Sequence, residues 1–136
     1  MTLQPLQLTL ESALYADDLD AATRFYGGIL GLPDAGRVAG RHAFFRVGAS
    51  VLLIFRAAAT QTPGKGGLPV PPHGARGPGH FCFAVTEEAL DGWRAQLEQH
   101  GIVIEADFRW PGGARSLYFR DPAGNSIEMA EARLWG

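Results

Sequence analysis

Residues 117–128 read LYFRDPAGNSIE, a pattern typical of two strands joined by a tight turn. Strand-forming residues flank a central DPAGN segment, and Asp, Pro, Gly and Asn are the residues that turns favour. The pattern predicts strands over Arg115–Arg120 and Ser126–Ala130. We therefore expect a β-hairpin near the C-terminal end of the sequence.

The residues before this hairpin predict a strand, a helix and a further strand. Gly79–Val85 (GHFCFAV) has the composition of a strand, and Thr86 is placed as the N-cap of an amphipathic helix. Gly101 ends the helix, and Val103–Trp110 is the next predicted strand. The C-terminal half is thus strand–helix–strand–strand–strand.

The N-terminal half has the same order of elements. Residues 8–16 predict a strand, and Asp18 precedes a helix whose apolar stripe runs through either Phe25 or Tyr26. Three strands are expected after it: Gly36–Val38, His42–Val47 and Ser50–Arg56. The predicted fold class is α+β, a single domain over residues 1–136 with two βαβββ modules at about 8–57 and 79–131.

A proline- and glycine-rich segment, residues 58–78, separates the two modules. Long stretches without periodicity are uncommon inside a compact domain and are often functional or disordered. One interpretation is a simple linker. The other is a lid over a site, carrying His73 as a possible acid or base.

Composition excludes several classes of protein. The 136 residues are 46% hydrophobic and 19% charged with a formal charge of −2, which is typical of one globular domain and not of a nucleic-acid or membrane-surface protein. A signal peptide and a membrane span are not expected, so we expect a cytoplasmic protein. One cysteine excludes an internal disulfide and a multi-cysteine zinc cluster.

Three titratable residues stand among apolar neighbours in the predicted strands: Glu11, His80 and Glu128. Because side chains alternate along a strand, Phe81 and Phe83 face the helix and His80 lies on the opposite, concave face. The same alternation places Glu128 in the concavity. Two carboxylates and an imidazole are costly to gather without a cation, and together they suit a divalent metal with positions left open for substrate.

Three motifs resemble those of one superfamily. They are the DL…FY…LGL pattern starting at Asp18, the strand GHFCFAV at 79–85, and the stretch LYFRDPAGNSIE at 117–128. The sequence resembles the vicinal-oxygen-chelate superfamily, which includes glyoxalase I, fosfomycin-resistance transferases, extradiol dioxygenases and bleomycin-resistance proteins. The resemblance covers about residues 8–131 and implies a half-open barrel of paired βαβββ modules with a metal on its concave face.

The resemblance also implies a ligand set. The family's metal ligands correspond to Glu11, His80 and Glu128, although the first is usually His or Gln, and the acidic set favours Mn, Fe or Mg ions, or Zn. Glyoxalase I has a further ligand in the last strand of module one, where Val51–Phe55 offers none. Tyr118 matches the tyrosine that contacts substrate oxygen in the dioxygenases, but the histidine expected before it is missing.

Two functions follow from the resemblance. The first is a metal-dependent enzyme (a lyase, isomerase, transferase or dioxygenase) that binds a small oxygenated substrate through two adjacent oxygens, with Glu128, Tyr118 and His73 as catalytic residues. The alternative is a metal-free protein that sequesters a drug or metabolite. The resemblance further implies a homodimer, in which Glu11 of one subunit meets His80 and Glu128 of the other.

Overall fold

The computed structural model of the chain describes residues 1–64 and 66–136. The first half contains β1 (Glu11–Tyr15), α1 (Leu19–Thr23, continued by a π-helical turn over Arg24–Ile29), β2 (Asp34–Val38), β3 (His42–Val47), β4 (Ser50–Phe55) and α2 (Ala57–Thr60). The second half contains β5 (His80–Val85), α3 (Glu87–Gln99), β6 (Ala106–Arg109), β7 (Arg115–Arg120), β8 (Ser126–Glu131) and a final 3₁₀ turn over Ala132–Trp135.

The strands of the described residues form two four-stranded sheets with the same topology. The strand orders are β1-β4-β3-β2 and β5-β8-β7-β6, and the two sheets remain open. In each sheet the first strand is parallel to the last, and the other pairs are antiparallel. The α+β class, the paired βαβββ modules and the half-open arrangement are thereby confirmed.

The first helix begins where the sequence predicts and widens before it ends. The side chain of Asp18 accepts a hydrogen bond from the Ala21 amide at 2.9 Å, which satisfies a free N–H of the first turn. Further on, the Leu30 amide donates to the Phe25 carbonyl at 3.0 Å, five residues back. Phe25 and Tyr26 are both buried in the core, so the apolar stripe of this helix includes both residues.

The helix-bearing faces of the two sheets share one hydrophobic core. The Phe25 and Phe119 rings, from different modules, lie 6.1 Å apart. Leu52 and Ile54 of the first sheet and Ile127 and Met129 of the second belong to the same cluster. The opposite, concave faces therefore point away from this core, and residues such as Glu11 and His80 are exposed there.

The DPAGN turn ties the modules together. Asp121 accepts hydrogen bonds from the amides of Ala123 and Asn125 at 3.0 and 2.8 Å. The Asn125 side chain accepts from the Gly79 amide at 2.7 Å and donates to the Tyr15 carbonyl at 3.1 Å. One turn thus fixes the end of β1 against the start of β5.

Several segments differ from the sequence-based expectation. The strand predicted over residues 8–16 spans only Glu11–Tyr15, because its pairing with β4 begins at Glu11 and Val51, and β2 begins at Asp34, two residues before its predicted start. The strand predicted over Val103–Trp110 is shorter, because ladder hydrogen bonds to β7 begin only at the Glu105 amide, which donates to Tyr118 at 2.8 Å. The 58–78 segment starts within α2, and the His73 amide donates to the Thr60 carbonyl at 3.0 Å. Position 65 of that segment lies outside the described residues.

Across residues 1–64 and 66–136, none of the helices combines the length and apolar character that a membrane span requires.

Candidate functional site

The concave face of the second sheet contains a cavity of about 540 Å³. Its lining includes His80, Cys82, Trp110, Tyr118, Glu128 and Trp135. These residues come from β5, β7, β8 and the segments next to them. The alternation along β5 and β8 is as the sequence predicts, because Phe81, Phe83, Ile127 and Met129 pack on the core side.

His80 and Glu128 meet in this cavity. The His80 Nε2 atom lies 3.3 Å from Glu128 Oε1, and Glu128 is only 5% exposed. The His80 Nδ1 atom lies 2.9 Å from the Ser126 carbonyl oxygen, which can only accept, so Nδ1 carries a proton. In the neutral ring the lone pair of Nε2 then faces the carboxylate, and a proton or a metal cation between them relieves the repulsion.

The second carboxylate oxygen of Glu128, Oε2, accepts a hydrogen bond from a buried serine. Ser116 Oγ donates to Glu128 Oε2 at 2.6 Å, and Trp110 Nε1 donates to Ser116 Oγ at 2.8 Å. Ser116 is fully buried. Sequence reasoning gave Ser116 no role, because alternation along β7 places it on the face of Tyr118 without showing what it contacts.

Two further groups in the cavity are neutral at physiological pH. Burial raises the pKa of the Cys82 thiol to about 12, with the Glu128 charge as the next cause. Burial and hydrogen bonding to Glu128 likewise raise the pKa of Tyr118 to about 12. Both groups therefore keep their protons in the metal-free protein, where the Tyr118 hydroxyl is a donor directed to Glu128.

Glu11 is not part of this cluster within one chain. It lies exposed at the start of β1, paired with Val51 in the first sheet. Among the described residues there is no group of three or more His, Cys, Asp or Glu side chains placed to hold a metal ion. The structure thus brings together His80 and Glu128, and the third ligand stays a prediction that needs a second copy of the chain.

The matching ladders allow the two sheets to be compared position by position. Leu53 lies between the third residue of β1 and Phe44 of β3. Glu128 lies between the third residue of β5, Cys82, and Tyr118 of β7. Leu53 thus occupies in module one the place that Glu128 has in module two, and it cannot bind a metal.

The first sheet carries an aromatic cluster in place of a carboxylate. His73 from the 58–78 segment lies against it, with Nδ1 2.7 Å from the Tyr15 hydroxyl and its ring 4.6 Å from that of Phe55. The His42 ring stacks on Phe44 at 3.9 Å. The structure therefore places His73 on the sheet of Glu11, away from the His80–Glu128 pair.

Comparison with known proteins identifies the family. The chain matches the model of the Glyoxalase/Bleomycin resistance protein/Dioxygenase superfamily over residues 8–129. It belongs to this superfamily, as the motif resemblance indicated.

Solved structures agree with this assignment. A lactoylglutathione lyase from Agrobacterium tumefaciens is 43% identical, with 97% of this chain and 98% of that chain covered and a TM-score of 0.91. A glyoxalase/dioxygenase from Nostoc punctiforme is 25% identical, with 96% and 95% covered and a TM-score of 0.68. A glyoxalase/bleomycin resistance protein/dioxygenase from Nocardioides shares the fold at 22% identity and a TM-score of 0.72, with 96% and 85% covered.

Proposed function

We propose that the chain is a metal-dependent enzyme of this superfamily that binds a small oxygenated substrate through two adjacent oxygens. The observation that carries the proposal is the pairing of His80 Nε2 with Glu128 Oε1 at 3.3 Å in the cavity of the second sheet. A nitrogen and a carboxylate oxygen are ligands that divalent Zn, Mn and Fe accept, and Mg also binds the carboxylate.

The distance between the two atoms fits a shared cation. Zinc–nitrogen and zinc–oxygen bonds are about 2.1 Å long. Two ligand atoms at that distance from one ion, seen from it at roughly a right angle, lie about 3 Å apart. The observed 3.3 Å requires little movement of either side chain.

The third ligand is proposed to be Glu11 of the partner subunit, in a homodimer. Two features support this arrangement. The concave faces are exposed and point away from the shared core. Glu11 also begins β1 as His80 begins β5, so each supplies the first residue of the edge strand of its sheet.

The chain's own residues then have separate tasks. A bound divalent cation would supply Lewis-acid polarisation of the substrate oxygens. His80 and Glu128 hold it, and the protonated hydroxyl of Tyr118 donates to a substrate oxygen in the cavity. His73 packs against the sheet that carries Glu11, and in the proposed dimer it would move protons in the shared site.

A lyase reaction is the first activity to test, because the 43% identical relative is a lactoylglutathione lyase. Leu53 at the fourth ligand position separates this site from a standard glyoxalase I site. Formation of S-lactoylglutathione from glutathione and the corresponding α-oxoaldehyde by the metal-loaded protein would place the chain with that relative. Metal binding without this turnover would move the reaction to another class of the superfamily.

Metal analysis of the purified protein tests the proposal directly. After incubation with Mn²⁺, Fe²⁺, Zn²⁺ or Mg²⁺ and gel filtration, we expect the wild type to retain one ion per site. His80→Ala and Glu128→Ala should lose it. His100→Ala and Glu98→Ala are matched controls, because these residues lie at the exposed end of α3 and should leave metal content unchanged.

The alternative, a metal-free binding protein, is supported by the aromatic cluster of the first sheet. Burial, together with the charge of Arg41, lowers the pKa of His42, so the ring stacked on Phe44 is a flat and neutral surface. A wild-type protein that retains no metal, yet binds planar organic molecules in the presence of a chelator, would favour this function.

A further inference from the structure

The hydrogen bond from Ser116 to Glu128 determines which carboxylate oxygen is turned towards His80. We propose that Ser116, itself held by Trp110, is a positioning residue that makes Glu128 present Oε1 alone to a bound cation. This inference rests on the proposed function, because it concerns how the metal ligand is oriented.

The direction of each hydrogen bond follows from chemistry. The indole Nε1 of Trp110 can only donate, so Ser116 Oγ accepts from it at 2.8 Å. The hydroxyl proton of Ser116 is then directed to Glu128 Oε2, an acceptor 2.6 Å away. The three groups form a chain that runs one way, from indole to hydroxyl to carboxylate.

This chain leaves the two oxygens of Glu128 in different environments. Oε2 is engaged by a short hydrogen bond to a fully buried hydroxyl, whereas Oε1 faces His80 Nε2 across 3.3 Å. If Glu128 rotated to bind a cation with both oxygens, the Ser116 hydroxyl would lose its acceptor in a buried place. Leaving a buried donor unpaired costs about 1–3 kcal/mol, so the single-oxygen orientation is favoured.

Backbone hydrogen bonds of the β6–β7 turn fix the position of Trp110 next to Ser116. The Trp110 amide donates to the Ala114 carbonyl at 2.9 Å, and the Gly113 amide donates to the Trp110 carbonyl at 2.8 Å. This turn joins β6 to β7 and brings the indole over Ser116. Outer partners that orient a metal ligand in this way commonly change metal affinity about 10–100-fold when they are removed.

Titration with Co²⁺ tests the inference on the full-length protein. Ser116→Ala should weaken Co²⁺ binding about 10–100-fold. It should also lower the visible absorption intensity, because a carboxylate that binds through both oxygens raises the coordination number. Ser116→Thr keeps the hydroxyl and should restore both properties to within a few-fold of the wild type.

Two other variants separate orientation from general packing. Ser50→Ala is the matched control, because the Ser50 hydroxyl likewise donates to one acceptor, the Val47 carbonyl at 3.0 Å, in the other sheet. It should leave Co²⁺ affinity and spectrum unchanged. Trp110→Phe removes the indole donor, keeps an aromatic ring, and should shift affinity and spectrum in the same direction as Ser116→Ala. If Ser116→Ala does not fold, Trp110→Phe tests the positioning role in its place.

A crystal structure of metal-free Ser116→Ala gives a readout that is independent of the metal. We expect the Glu128 carboxylate to rotate away from its position 3.3 Å from His80 Nε2. Unchanged Co²⁺ affinity and spectrum in folded Ser116→Ala or Trp110→Phe, or an unmoved Glu128 in this crystal structure, would overturn the inference alone. A wild type that binds no Co²⁺ would overturn the proposed function and this inference with it.

Discussion

The hydroxyl of Tyr26 is one of the few polar groups in the shared core. The residue is completely buried, and its hydroxyl donates to Asp121 Oδ2 at 2.6 Å. The same oxygen accepts from Asn125 Nδ2 at 2.9 Å. Burial and the Asp121 charge raise the pKa of Tyr26 above its usual range, so this hydroxyl remains a donor. The bond joins the first helix of one module to the C-terminal turn of the other.

Tyr26→Phe should therefore lower the free energy of unfolding by about 1.5–3 kcal/mol, the usual contribution of a hydrogen bond to a charged group. Urea denaturation measures this change. Tyr15→Phe is the control, because the Tyr15 hydroxyl bonds to exposed His73 and its loss should cost less than about 1 kcal/mol. Equal stability of Tyr26→Phe and wild type would contradict the expectation.

Asp107 gives the second prediction at this scale. Arg115 donates to both of its oxygens at 2.8 Å, and Arg94 adds a bond of 2.6 Å. These bonds, led by those from Arg115, lower the pKa of Asp107 from 3.8 to about 2. Because the folded-state pKa is the lower one, the ionised carboxylate stabilises the fold above about pH 4. That stabilisation is lost as the pH falls through about 2.

Asp107→Asn should accordingly lose about 1–2 kcal/mol of stability at pH 7 and much less at pH 2. Unfolding free energies measured between pH 2 and 7 check this, with a shallower decline for the variant than for the wild type. Glu98→Gln is the control, because its ion pair with Arg94 is exposed on both sides and should contribute little. A variant curve parallel to that of the wild type would contradict the assignment.

At the scale of single residues, the sequence predicted correctly which side chains lie on the concave face. It did not predict the hydrogen bonds that hold Glu128 there. Alternation along β5 and β8 was enough to place His80 and Glu128 on one concave face. Ser116 carries no such signal, because a serine in a strand is ordinary at either face. Its role depends on the register between β7 and β8 and on the turn that brings Trp110 over it.

The elements show where local patterns are sufficient and where they fail. The two helices that the sequence predicts, α1 and α3, begin at their predicted caps, since Asp18 and Thr86 each accept a hydrogen bond from an amide of the first turn. The π-helical turn was not predictable, because its hydrogen bonds run five residues back and the apolar stripe fits an ordinary helix. The apolar pattern predicts that β6 begins at Val103, but it begins at Ala106. The pattern cannot show the true start, because a strand extends only as far as its partner strand pairs with it.

The entry to β5 provides a prediction about an element. A Cβ atom at Gly79 would lie 2.9 Å from Leu14 Cδ2 and 3.4 Å from Asn125 Oδ1. Gly79→Ala should thus destabilise the protein by about 1–3 kcal/mol, as overpacking in a core does. Gly92→Ala is the control, because a Cβ there meets nothing within 4 Å in the middle of α3 and should stabilise by about 0.5–1 kcal/mol.

Thermal unfolding of the two glycine variants measures both effects in one experiment. We expect a lower melting temperature for Gly79→Ala and an equal or higher one for Gly92→Ala. An unchanged or higher melting temperature for Gly79→Ala would show that the space beside Gly79 does not matter.

At the scale of the whole molecule, the repeat of elements was readable from the sequence, and the way the modules pack was not. The order of the elements defines each βαβββ unit, but it does not show which faces of the two sheets pack against each other. The structure shows that the helix-bearing faces share a core. Glu11 and the His80–Glu128 pair consequently lie on two different sheets, so a site formed from all three requires two chains.

Mixing two inactive variants tests such a shared site. If Glu11 comes from the partner subunit, a refolded equal mixture of Glu11→Ala and His80→Ala contains about half mixed dimers, each with one intact site. The mixture should regain about a quarter of the wild-type metal content and activity. A site within one chain would give no recovery, and His80→Ala mixed with Glu128→Ala, both on the second sheet, should not recover either.

Because the concave surfaces face outward, the fraction of the protein that can bind a metal ion depends on the protein concentration. When a site exists only between two molecules, ion capture and association become linked equilibria, and each strengthens the other. Dilution would then abolish metal binding and activity without unfolding the subunits, whereas a saturating concentration of the ion would stabilise the dimer.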